Sequence, residues 1–178
     1  MFNFAKEVIG NRVLKVRASK IKRKRAFCNI NSMKSVGILF ENTGNVYVMA
    51  NKMIKFFLAR KIKVSSIVFE NITNAEMENR KQIPTYIKMF TKSDLTWYGR
   101  PNCAAVNKFV SQKFDVLIDM SRSSDYVYKY IVTLSAAKFK IGGIQYKNDP
   151  FDLILLETSN ETTKFVSLII NFLSTIKV

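Results

Sequence analysis

Ser121, Arg122, Ser123 and Ser124 set three hydroxyls and a guanidinium directly before a helical pattern. At a helix N-terminus such a group can hold a phosphate through hydroxyls, backbone amides and the guanidinium. The plainer reading is that the serines cap the helix and Arg122 faces water. Thr43 and Gly44 occupy a second turn of this kind, where glycine suits the turn geometry. Neither turn carries a GxGxxG or GxxxxGK(S/T) pattern, so no nucleotide cofactor is expected. Asp119 and Glu157, near the ends of what read as neighbouring strands, could pair for acid/base work or magnesium binding; such acids more often cap helices or pair with lysines. The chain has no histidine, which removes the usual general base and the commonest metal ligand and excludes Ser/His and Cys/His triads. Cys28 and Cys103 lie far apart without ligand-type neighbours and read as small apolar groups. No catalytic residue and no metal ligand is assigned.

Charge carries a stronger signal. Lys and Arg number 29 against 13 acidic residues, a net +16 in 178 residues, and such an excess favours an anionic partner. Eight cations, Arg12, Lys15, Arg17, Lys20, Lys22, Arg23, Lys24 and Arg25, stand in a stretch without a single acid. They have no local acids for i,i+4 pairing, so a solvated structural face explains them poorly. A helix suits this stretch once its charge is neutralised, since it lacks Pro and Gly. Removing these eight charges leaves +8 on the remainder, so the contact with a polyanion extends onto the domain. Trp97 and Arg100, in Trp97-Tyr98-Gly99-Arg100, suit stacking on a base and contact with its phosphate; the alternative is a loop anchored in the core by its tryptophan.

These residues need a scaffold. Ser35 to Phe40 reads as a strand buried on both faces. Val46, Met49, Ala50, Met53 and Phe57 trace a helix whose last turn holds Arg60 and Lys61, and Lys63 to Glu70 is a second strand. Ile83 to Phe90 is a third, with Pro84 at its beginning; residues 75–80 suggest a short helix before it. Ala105, Val106, Phe109 and Val110 mark another helix. Phe114 to Met120, a helix through Val127, Tyr130, Ile131, Leu134 and Ala137, and Phe139 to Ile141 form a strand, helix, strand unit. Phe151 to Glu157 repeats the form of Phe114 to Asp119 and predicts one more buried strand. Thr158 and Glu161 match a capping box for the closing helix, whose face is Phe165, Leu168, Ile169, Phe172 and Ile176. The alternation predicts an open, mostly parallel, doubly wound α/β sheet of the Rossmann or flavodoxin kind. Residues 1–34 form a basic helical arm and residues 35–178 the α/β domain.

Three stretches, SVGILFE at Ser35 to Glu41, DLTWYGRP at Asp94 to Pro101, and FDVLIDMS with LSAAKFKIG between Phe114 and Gly142, resemble an uncharacterised family of small basic proteins from Bacteroidetes bacteria. The resemblance implies a bacterial, cytoplasmic α/β domain and transfers no catalytic residue. The amino terminus lacks the order of a secretory signal, and no stretch approaches about 18 consecutive apolar residues. The leading expectation is a non-enzymatic RNA-binding or ribosome-associated protein whose arm contacts phosphates. Two alternatives stand beside it. One is a peripheral protein of anionic membrane surfaces, with Phe2, Phe4, Val8 and Ile9 entering the headgroups; the other is an enzyme or sensor for a phosphorylated small molecule at the strand ends.

Overall fold

Ser35 to Glu41 is apolar or glycine at every central position, and each of those positions is buried, the mark of a parallel strand covered on both faces. In the computed structural model, which describes residues 2–72, 84, 86–146, 148–156 and 162–176, it is β1 (Ser35–Glu41) in the interior of a six-stranded parallel sheet. The other strands are β2 (Lys63–Glu70), β3 (Ile87–Thr91), β4 (Val116–Asp119), β5 (Phe139–Gly142) and β6 (Leu153–Ile154), in the order β3-β2-β1-β4-β5-β6. That is the Rossmann order, and it decides between the two doubly wound alternatives. The chain leaves β1 toward β2 on one side and reaches β4 on the other, so the sheet has its switch point between β1 and β4.

Helices cover both faces. Met53, Ile54 and Phe57 of α2 (Gly44–Ala59) pack with Phe165, Ile169 and Leu173 of α5 (Thr162–Thr175) on one side. On the other, Val106 and Phe109 of α3 (Ala104–Ser111) join Val127, Tyr130 and Ile131 of α4 (Tyr126–Leu134), and Leu14 of α1 (Phe2–Ala18) adds to the same cluster. The Asp115 carboxylate ties the strand starts together: it accepts from the backbone amides of Lys34 (2.9 Å) and Ser35 (3.0 Å) and pairs with Lys138 Nζ (2.8 Å). Burial pushes its pKa up, but the Lys138 and backbone hydrogen bonds outweigh that and hold it below the usual range.

Several boundaries differ from the sequence reading. The arm helix ends at Ala18, where the Ser19 hydroxyl turns back to the Val16 carbonyl (2.9 Å). Residues 21–29 then run as a strap, with Ala26 N–H on the Lys138 carbonyl (3.2 Å) and Ile30 N–H on that of Leu173 (2.9 Å). Hydrogen bonds to the domain replace further helical turns of like charge. Arg60 and Lys61 lie just beyond α2, Lys61 in the left-handed region (φ 61°). Pro84 lies outside β3. The strand predicted at Phe151 to Glu157 shrinks to the half-buried β6, because an edge strand is paired on one side only. The helix proposed over 75–80, Glu157 and the capping box at Thr158 and Glu161 fall outside the described residues.

Gly37 shows how tightly β1 is held. A Cβ there would lie 2.7 Å from the buried Phe114 ring. Gly37→Ala is expected to lower stability by about 1–3 kcal/mol through overpacking, measured by urea unfolding, and Phe114→Leu in the same chain to recover part of the loss.

Candidate functional site

The arm does not hang free. Gly10 lets α1 approach α4 closely: a Cβ there would lie 3.1 Å from the Tyr126 ring, and the Tyr126 hydroxyl donates to the Gly10 carbonyl (2.7 Å). Arg17 donates to the Tyr130 hydroxyl (2.9 Å). In the strap, Arg23 Nε donates to the Ala137 carbonyl (2.6 Å), and its Nη2 pairs with Asp152, whose other oxygen lies 3.5 Å from Arg25. The Arg23 and Asp152 side chains are only 10% and 8% exposed, so this pair is internal. The cations Arg12, Lys15, Lys20, Lys22 and Lys24 are exposed and form no ion pair among the described residues.

Docking makes the arm one wall of a groove of about 860 Å³. Lys15, Arg23, Arg25, Lys129 and Lys140 line it, against the acids Glu7 and Asp149. Lys140 is almost fully buried on β5 and donates to the carbonyls of Val132 (2.6 Å) and Thr133 (3.3 Å) at the end of α4. Burial, with Arg23 and Arg25 nearby, pushes its pKa down to about 7. A lysine inside the apolar run Phe139 to Ile141 was the available sequence signal for this position; Lys129 and Asp152 had none.

The Trp97 loop stands beside the same helix pair, since Gly99 lies against the Tyr126 ring that holds Gly10. Trp97 is 58% exposed, which overturns the core-anchor alternative; Leu95 and Pro101 close the loop by a single antiparallel bridge, without the indole. Arg100 donates to Asn102 (3.3 Å). The structure therefore brings the loop of Trp97 and Arg100 to the Tyr126 ring on which α1 also packs, which sequence spacing could not indicate.

A second cluster lies at the switch point. The predicted serine cap is absent: the N-cap of α4 is Asp125, and Ser123 Oγ accepts the Asp125 amide (3.1 Å) instead. Ser124 is exposed, whereas Ser121 is buried. Arg122 is half-buried rather than fully turned to water; its guanidinium lies over the Phe165 ring at 5.2 Å, and its backbone amide donates to Glu41 (3.1 Å). Asp119, 1% exposed, accepts the Ser121 amide through Oδ1 (2.9 Å). Its Oδ2, Ser121 Oγ and the Tyr146 hydroxyl lie close together in the interior, with Ser121 a side-chain hydrogen-bond neighbour of both Asp119 and Tyr146. Burial pushes Asp119 up to about 7, with Glu41 adding to the rise. Asp119 and Glu157 were read as ends of neighbouring strands, but β5 lies between β4 and β6. Thr43 lines a cleft of about 260 Å³ with Glu41, Glu70, Asp125 and Tyr128, and Gly44 takes φ +33° in the turn. Tyr146 carried no sequence signal.

Cys28 and Cys103 are both half-buried free thiols rather than core residues, and burial pushes both pKa values up. Among the described residues no group of His, Cys, Asp or Glu could hold a metal, and no helix is long and apolar enough to cross a membrane.

Fold and surface thus define a doubly wound parallel α/β protein with a basic groove along one helical layer. A family model, described as a family of unknown function (DUF6913), matches residues 6–176, and the chain belongs to that family. No curated protein and no solved structure matches it significantly.

Two measurements check this geometry. Asp152→Ala removes the partner of a buried arginine and is expected to cost about 3–5 kcal/mol in urea unfolding, with proteolytic cleavage appearing in residues 19–29; a cost under about 1 kcal/mol would show that the pair does not hold the strap. Asp119, raised from 3.8 to about 7, keeps its proton in the folded chain where the unfolded chain has lost it. Its contribution to stability is therefore full below about pH 4 and lost as pH rises to 7. Asp119→Asn is expected to flatten that window and to be more stable at pH 8 by up to about 4 kcal/mol.

Proposed function

We propose that the protein binds single-stranded nucleic acid, RNA in the first instance, as a non-enzymatic bacterial cytoplasmic protein, ribosome-associated or free. The observation that carries this reading is the exposed charge that the docked arm and strap present. Arg12, Lys15, Lys20, Lys22 and Lys24 offer exposed charge, and the exposed Trp97 belongs to a loop whose Gly99 lies against the same Tyr126 ring as α1. Phosphates meet the cations while a base stacks on Trp97, a combination suited to unpaired strands whose bases are free to leave the backbone. Arg17 and Arg25, both exposed, extend the charged track, and Arg100 sits beside the stack. Arg23 belongs to the wall that holds the track in place.

A membrane-surface reading rests on a different observation: Val8, Ile9 and Val16 of α1 are exposed beside Arg12. In that case anionic vesicles are bound in preference to RNA.

Binding of a single-stranded RNA oligomer, followed against salt, is expected to give a log–log slope of about −3.5 to −5 for five to seven phosphate contacts. Trp97→Ala is expected to weaken binding by about 1–3 kcal/mol without changing that slope. Lys15→Glu with Lys22→Glu is expected to flatten it. A wild-type slope near zero, or vesicle binding that outcompetes RNA, would sink the nucleic-acid reading.

A further inference from the structure

The arm and the Trp97 loop meet on two phenols of α4. Tyr126 and Tyr130 stand one turn apart, their ring centroids 6.0 Å from each other. Arg17 of α1 donates through Nη1 to the Tyr130 hydroxyl (2.9 Å), and Gly99, next to Arg100 in the chain, lies against the Tyr126 ring. Both guanidiniums act on the Tyr126 hydroxyl: burial pushes its pKa up, Tyr130 and Tyr98 add to the rise, and Arg100 and Arg17 pull it back. Among the described residues neither arginine forms an ion pair, and no acid enters that balance. Arg100 Nε is buried without a hydrogen-bond partner. The turn that carries Arg100 is closed by Thr96 N–H on the Arg100 carbonyl (2.8 Å), Gly99 N–H on the Thr96 carbonyl (2.9 Å) and Arg100 N–H on Thr96 Oγ1 (3.1 Å). Trp97, 58% exposed, sits in that same turn. Two cations that share a neighbour and lack a carboxylate repel each other until an anion joins them.

We propose that Arg17 and Arg100 together bind the terminal phosphate monoester of a single strand, with the base of that end nucleotide stacked on Trp97. This rests on the nucleic-acid reading and names the part of the strand that the junction takes. Charge selects the group. A phosphodiester within the strand carries one negative charge, whereas a terminal monoester carries about −1.5 to −2 at pH 7 and offers three strong acceptor oxygens. Two guanidiniums without a carboxylate balance the second and overcompensate the first. Each arginine also keeps donors in hand: Arg17 spends Nη1 on Tyr130, and Arg100 spends Nη2 on Asn102 (3.3 Å), which leaves planar N–H groups for phosphate oxygens. Both are placed before any ligand arrives, Arg17 by the phenol and Arg100 by Asn102 and the closed turn, so little ordering opposes binding. The lysines of the arm and strap then serve the phosphates farther along the strand.

The full chain is titrated with one single-stranded RNA oligomer in three forms, 5′-phosphorylated, 3′-phosphorylated and with hydroxyls at both ends, by fluorescence anisotropy at fixed salt. One phosphorylated form is expected to bind about 10- to 100-fold more tightly than the hydroxyl form, and the end that does so is the end that is held. Arg17→Lys and Arg100→Lys keep the charge and lose the fork, and each is expected to cut that ratio to below about 3-fold. Lys22→Gln removes a charge elsewhere on the basic surface; it is expected to weaken all three forms and to leave the ratio in place. Equal affinity for the three forms, a ratio that survives in a folded arginine variant, or a ratio that falls as far in Lys22→Gln would overturn the proposal. Should one arginine variant fail to fold, the other decides. If the hydroxyl form binds with the expected salt slope and an end phosphate adds nothing, the nucleic-acid reading stands and this proposal falls; if none of the three binds, both fall.

Discussion

One carboxylate sets the form of the basic surface. Asp152 receives Arg23 of the strap, lies near Arg25, and accepts the backbone amide of Lys140 on β5 (2.8 Å). A charge this buried needs a partner, and a guanidinium this buried needs one equally. Between them they pin the strap to the sheet edge. From that pin the chain runs back to α1, which seats Leu14 and Gly10 on α4, so cations that would repel one another in a loose tail become one wall of a groove. The remaining acid-free charge then faces outward in a fixed arrangement, and binding a polyanion would not have to bear the entropy of ordering the arm.

The switch point follows a different logic. Its polar groups are gathered by the ends of β1 and β4 and closed over by α5 and the segment after β5. Leaving a buried donor or acceptor unmet costs about 1–3 kcal/mol, and Ser121 stands as a side-chain hydrogen-bond neighbour of both Asp119 and Tyr146. Asp119 shows the consequence of burial: deprived of water, it keeps its proton to about neutral pH. The groove and the switch-point cluster therefore differ in kind, one an open track of charge and the other an enclosed set of directional groups.

Much of the scaffold was legible from residue patterns. Runs such as SVGILFE and FDVLID can only be strands covered on both faces, and the spacing of Val46, Ala50, Met53 and Phe57 has one helical solution. The misreadings share a cause: each concerned what a side chain would touch. Trp97 looked like an anchor because indoles are usually buried, yet its loop is closed by backbone pairing. The serines before α4 looked like caps, but Asp125 takes the cap position and Ser121 turns inward. The last strand looked buried because its sequence repeats that of β4, and nothing local states that it would lie at the edge.

Local chemistry by itself determined the alternation of strands and helices, the absence of histidine chemistry and the acid-free run of cations, because composition, periodicity and turn residues act over a few positions. Which strands are neighbours, and hence that β5 separates Asp119 from the last strand, was decided only by the folded chain. So were the meeting of Arg23 with Asp152 across more than a hundred residues, the approach of the Trp97 loop to the Tyr126 ring on which α1 packs, and the closing of Tyr146 over Ser121. Those contacts depend on the sheet order, which is a property of how all the apolar faces are buried together.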